Sequence, residues 1–201
     1  LDAFVGNATG NIQFFRNVGT VSNPIFTTAM ANPFGLSAVG TSASPAFIDI
    51  DDDGDLDALV GNATGNMLFF QNIGTASNPI FAAAIINPFG LSDVGSSASP
   101  TLVDIDGDGD LDVFVGKYNY YGNMLFFENI GTASNPTFAD ASTNSFGLND
   151  RIWSANPTFV DIEGDGDLDA FVGLGHYTGG GSGSINFFRN IGSANNPVFY
   201  R

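Results

Sequence analysis

The chain repeats itself. Leu1-Asp2-Ala3-Phe4-Val5-Gly6 returns in close variants at Leu56–Gly61, Leu111–Gly116 and Leu168–Gly173, at spacings of 55, 55 and 57 residues. After each copy come a double phenylalanine (Phe14-Phe15, Phe69-Phe70, Phe126-Phe127, Phe187-Phe188) and an asparagine two positions on. Asn-Pro-x-Phe follows at Asn23, Asn78, Asn135 and Asn196, then a linker holding Phe-Gly-Leu, then a proline-initiated apolar stretch at Pro45, Pro100 and Pro157. A period of this length means one supersecondary unit per repeat, stacked on its neighbours.

Within one unit four short segments are extended by composition: Ala46–Asp49, Leu56–Val60, Met67–Gln71 and Ile80–Ala83. Each is β-branched or aromatic and bounded by Gly, Asn, Asp or Pro. One lysine, two glutamates and two glutamines leave few helix formers, against 26 glycines and nine prolines. The class is all-β, and four strands per unit is the arithmetic of a β-propeller blade. A solenoid would need units of about 20 to 29 residues. The expected architecture is one domain over 1–201 of four-stranded antiparallel blades, with repeats near 1–43, 44–98, 99–155 and 156–201. One blade is incomplete: the counterpart of Ala29–Asp55, a first strand and most of an acidic loop, has no place in the 201 residues. A full ring with a three-stranded blade, a piece of a larger propeller, and a protomer completed by a neighbour all satisfy that count.

The net charge of −16 is local. Sixteen of the 21 acids fall in three clusters: Asp49, Asp51, Asp52, Asp53, Asp55 and Asp57; Asp104, Asp106, Asp108, Asp110 and Asp112; Asp161, Glu163, Asp165, Asp167 and Asp169. Each fits D-x-[DE]-x-D-G-x-x-D, and Asp2 stands where the last acid of a fourth cluster would be. Carboxylates on alternate residues of a tight loop converge on one point, the arrangement a hard oxygen-seeking cation requires. Without a cation they repel. By analogy with known calcium loops, positions 1, 3, 5 and 9 supply side-chain oxygens and position 7 a backbone carbonyl. Position 12 holds Val60, Val115 or Val172, not the bidentate glutamate of an EF-hand, and the flanks are β segments. Three Ca²⁺ sites are expected in hairpin loops, the third altered by Glu163.

These residues together resemble the FG-GAP/VCBS repeat family, the repeats of integrin α-subunit propellers and of many bacterial secreted proteins. The match lies in the aspartate loop, the following Leu-Asp-x-Phe/Leu-Val-Gly, the Phe-Phe-x-Asn-x-Gly and the Asn-Pro-x-Phe. No Gly-Ala-Pro follows the Phe-Gly, so the likeness is closer to the bacterial VCBS type. The resemblance implies a propeller with calcium between the first and second strands of a blade, and an extracellular or cell-surface setting. It also implies a role in adhesion, recognition of protein or carbohydrate, or structural display.

Charge and composition exclude several classes. Five basic residues among 201 cannot neutralise a row of phosphates, so no nucleic-acid partner is expected. There is no apolar run long enough to insert in a membrane as a helix, and no cysteine for disulfides or thiolate chemistry. The single histidine, His176, sits in a glycine-rich stretch without a nucleophile elbow or a phosphate-binding motif, so no enzyme is expected. The repeats differ most in the hairpins between second and third strands, where Tyr118, Tyr120, Tyr121, His176 and Tyr177 form a candidate ligand surface for a glycan or protein. Neutral drift at a permissive loop explains the same difference. The expected function is a non-enzymatic calcium-binding adhesion or recognition scaffold. The alternatives are a self-assembling subunit completed by blade sharing, and a lectin-like module.

Overall fold

A computed structural model describes residues 1–117, 124–148, 155–175 and 183–201. Blade 1 is the sheet of β1 (Ala3–Gly6), β2 (Ile12–Phe15) and β3 (Met30–Ala31). Blade 2 holds β4 (Ser44–Ile48), β5 (Asp57–Gly61), β6 (Met67–Phe70) and β7 (Ile85–Ile86). Blade 3 holds β8 (Ser99–Val103), β9 (Asp112–Gly116), β10 (Met124–Phe127) and β11 (Ser142–Thr143). Blade 4 holds β12 (Ala155–Val160), β13 (Asp169–Leu174), β14 (Ser184–Asn190) and β15 (Phe199–Tyr200). Each sheet is an antiparallel meander in chain order, three strands in blade 1 and four in the others, as a β-propeller requires.

The prolines explain the start of each blade. Pro45, Pro100 and Pro157 lie opposite Val60, Val115 and Val172 in the first ladder. Proline has no N–H to give, so these are the non-bonded pairs, and the bonded pairs are their neighbours such as Ala46 with Leu59.

The fourth strand differs from expectation. Ile80–Ala83 forms no ladder strand; Phe81 makes one isolated bridge with Asn72, and the strand proper is Ile85–Ile86. The reason lies in the preceding blade: the Phe81 N–H donates to the carbonyl of Phe34 at 2.8 Å, so this stretch serves the interblade linker. The same bond joins Phe138 to Phe89.

Three apolar clusters fill the interfaces of blades 1 and 2, 2 and 3, and 3 and 4. In each, a residue from the inner strand of the following blade covers the second and third strands of the preceding one. Phe47 stacks on Phe4 with ring centroids 4.2 Å apart, and Phe159 lies 4.6 Å from Phe114. The close fit needs glycine at the end of the second strand. A Cβ on Gly6, Gly61 or Gly116 would fall 1.7–2.1 Å from the carbonyl oxygen of Ala43, Ala98 or Ala155 of the next blade. Among the described residues Gly173 of blade 4 has no such neighbour, its nearest being Asn156 at 3.7 Å. The same side of blade 4 leaves Ile185 71% and Phe187 39% exposed, while Val5 on the opposite side of blade 1 is 51% exposed.

Candidate metal centre

The acidic clusters occupy the hairpins between first and second strands, β4–β5, β8–β9 and β12–β13. Glycine at the sixth position turns the chain with φ of 93° to 94° at Gly54, Gly109 and Gly166. The first aspartate organises the turn. Asp49 accepts from the N–H groups of Asp53 and Gly54, Asp104 from Gly107 and Gly109, and Asp161 from Gly164, Asp165 and Gly166, all within 2.6–3.2 Å. The fifth position repeats the pattern locally: Asp53, Asp108 and Asp165 accept from the N–H two residues on.

The ninth position faces two ways. One oxygen of Asp57, Asp112 and Asp169 accepts the backbone N–H of Asn72, Asn129 and Asn190 at 2.7–2.8 Å. Those asparagines in turn accept from two further N–H groups, as Asn129 does from Gly131 and Thr137, and so fasten the Asn-Pro-x-Phe segment to the blade. Asp2 holds Asn17 in the same way at 2.7 Å. The other oxygen of Asp57 and of Asp169 is buried with no hydrogen-bond partner.

Those orphaned oxygens have company. Asp51 and Asp106 at the third position, and Asp55, Asp110 and Asp167 at the seventh, each bury an unpartnered Oδ1. A buried carboxylate oxygen without a donor is costly, so these oxygens are ones that could hold a cation. The side chains of Asp49, Asp51 and Asp53 bring oxygens within 4.8 Å of one another, and so do Asp104, Asp106 and Asp108. The seventh position was expected to give its backbone carbonyl; the structure adds a buried side-chain Oδ1 there. Burial, reinforced by neighbouring carboxylates, pushes Asp57 and Asp112 up to about 7 against the pull of the Asn72 and Asn129 N–H groups. The same causes hold Asp55, Asp106, Asp110 and Asp167 above the usual carboxylate range.

The pattern of an FG-GAP-like repeat matches residues 49–115 and again 104–172, which together cover more than half the chain. The chain belongs to the FG-GAP-like repeat family. Each match of the FG-GAP-like repeat begins on the first aspartate of a loop and ends in the second strand of the following blade. The repeat as a unit of sequence therefore straddles one interblade interface. No curated protein matches the chain.

The third FG-GAP loop differs. Glu163 Oε1 pairs with the guanidinium of Arg189, which β14 presents beside the loop. Asp161, Glu163 and Asp165 do not form a converging triplet among the described residues. Tyr118, Tyr120, Tyr121, His176 and Tyr177, the candidate ligand surface, lie outside the described residues. Among the described residues, an axial opening of about 490 Å³ has Asn7, Ser44, Ser99, Lys117 and Asn156 on its wall. Ser44 and Ser99 share a hydrogen bond of 2.9 Å across it.

Proposed function

We propose that the chain is a non-enzymatic, calcium-stabilised FG-GAP propeller that works as a recognition or adhesion scaffold outside the cell. The observation that carries this reading is the set of buried, unpartnered carboxylate oxygens at matching positions of three loops. Oxygen-only donors in a flexible hairpin suit Ca²⁺, which accepts six to eight ligands at about 2.3–2.6 Å, better than Mg²⁺ with its demand for strict octahedral geometry. Asp49, Asp51, Asp53, Asp55 and Asp57 would hold one ion, and Asp104, Asp106, Asp108, Asp110 and Asp112 a second. Asp161, Asp165, Asp167 and Asp169 would hold a third, with Glu163 once it leaves Arg189.

The ions act on structure, not on a substrate. Each neutralises carboxylates that join the first strand of a blade to the second, and through the ninth aspartate it steadies the asparagine that fastens the outer segment. A millimolar extracellular calcium level keeps such loops filled, which supports a location outside the cell. The recognition surface is then the opposite end, where Ser44, Ser99 and Asn156 line the axial opening. Calorimetric titration of the chelator-treated chain with Ca²⁺ tests the metal reading. Three sites, two similar and one weaker, are expected. No heat and no change in thermal stability at millimolar Ca²⁺ would overturn it.

A further inference from the structure

The residue after the double phenylalanine takes three chemical forms at one structural position: Gln71 in blade 2, Glu128 in blade 3 and Arg189 in blade 4. Its place is fixed from two sides. The carbonyls of Gln71 and Glu128 accept the N–H groups of Ala82 and Ala139 at 2.8 Å, and Arg189 lies opposite Tyr200 in the β14–β15 ladder. The next residue in each case is the asparagine whose N–H the ninth aspartate of the loop accepts. The backbone at this position is therefore tied to the acidic loop of its own blade in the same register each time.

In blades 2 and 4 the side chain meets the acid at the third position of the loop. Gln71 Nε2 donates to Asp51 Oδ2 at 3.0 Å, while Asp51 Oδ1 stays buried and unpartnered. The neutral amide engages one oxygen of the acid and leaves the other for a cation. Arg189 instead draws Glu163 into an ion pair, and among the described residues Asp161, Glu163 and Asp165 form no converging triplet. Glu128 brings a carboxylate, which has no hydrogen to give Asp106. Burial and the loop's own acids hold Asp110 above the usual carboxylate range, and the Glu128 charge adds to them. A neutral donor, an extra anion and a cation thus stand beside three loops of one pattern.

We propose that this residue sets the cation affinity of its loop: Gln71 positions the third acid, Glu128 adds a negative charge, and Arg189 withholds the third acid. The inference rests on the reading of the loops as Ca²⁺ sites, which the unpartnered oxygens of Asp57 and Asp169, residues 2% and 0% exposed, support. Exposed charge pairs shift an equilibrium by roughly two- to fivefold, and loss of a positioned ligand adds to that. The order of affinity is therefore blade 3, then blade 2 within about threefold, then blade 4 well below both.

The test is calorimetric titration of the chelator-treated 201-residue chain with Ca²⁺, the parent against Gln71→Arg, Glu128→Arg and the milder Glu128→Gln. Each arginine variant is expected to weaken one strong site at least fivefold, leaving one strong site and two weak ones. Glu128→Gln should leave the two strong sites within about twofold of each other. A second readout needs no ion. In chelator both arginine variants should raise Tm by about 1–3 °C, because the new cation relieves repulsion in the empty loop. In saturating Ca²⁺ the gain in Tm over chelator should be smaller than the parent's. A merely structural role would move Tm in one direction under both conditions, and that outcome would overturn the proposal. Three sites in the parent with affinities unmoved in both arginine variants would overturn it alone. No heat from the parent chain would overturn the metal reading, and this inference with it.

Discussion

Asp112 accepts the backbone N–H of Asn129 at 2.8 Å through one oxygen, at the point where the acidic loop of blade 3 meets its outer segment. Loop and outer segment are thus mechanically one device, and calcium is expected to govern the stability of whole blades. A site filled at about 100 times its Kd adds about 2.7 kcal/mol, and a chain of this size gains roughly 2–4 °C per kcal/mol. Scanning calorimetry should therefore show chelator lowering Tm by at least ~10 °C. An unchanged Tm would deny the ions a structural role.

The Glu163–Arg189 pair predicts a different hierarchy of sites. Arg189→Ala releases Glu163 to the third loop without touching its aspartates, so the weakest of the three calcium affinities should tighten severalfold. Calorimetric titration of the variant against the parent chain reads this directly. A weaker third site in the variant would show Arg189 to be supporting the loop instead.

Without calcium, acidity should stabilise. Asp57 and Asp112 stand near 7 in the fold and near 3.9 in an unfolded chain, so between about pH 4 and 7 the folded state binds more protons. Their protonated contribution is complete below about pH 4 and is lost as pH rises through 7. In chelator, Tm should be higher at pH 5 than at pH 8. In saturating Ca²⁺ the order should reverse, because protons then compete with the ion.

Two glycines at the same register should behave oppositely. Gly116→Ala places a methyl against the Ala155 carbonyl at an impossible distance, and forced overpacking costs about 1–3 kcal/mol or more. Among the described residues Gly173→Ala meets only ordinary contacts and should be neutral or slightly stabilising, within about 1 kcal/mol. Urea denaturation of both variants decides the matter.

Phe126 and Phe187 form a second matched pair. Phe126→Ala removes a ring buried at the interface of blades 3 and 4, a change that costs about 3–5 kcal/mol. Phe187→Ala removes one that is 39% exposed and should cost well under half as much. Equal losses would mean that blade 4 is covered in solution.

The repeat and its loops were legible because their residues act locally: a proline opens each inner strand, and alternating aspartates need only nine positions to converge. What escaped the sequence depends on contacts between blades. Ile80–Ala83 reads as a strand by composition, yet Phe81 gives its N–H to Phe34 in the linker between blades 1 and 2. Glu163 finds Arg189 across two strands of a sheet, a meeting that no spacing announces. The Asn-Ala-Thr at Asn62 has the pattern of a glycosylation acceptor, but its Oδ1 caps the β5–β6 hairpin and its amide donates to Val39. The asparagine after each double phenylalanine was visible as a repeat feature; its role as a three-way acceptor and donor hub required the fold.

Every interblade contact described here points the same way along the chain: a linker carbonyl, a glycine gap and an aromatic pair wait for parts that the next repeat delivers. Completion of a blade is therefore deferred by one repeat. A piece of this molecule cut after blade 2 or blade 3 is therefore expected to expose, on its last blade, the surface that the missing repeat covers in the intact chain.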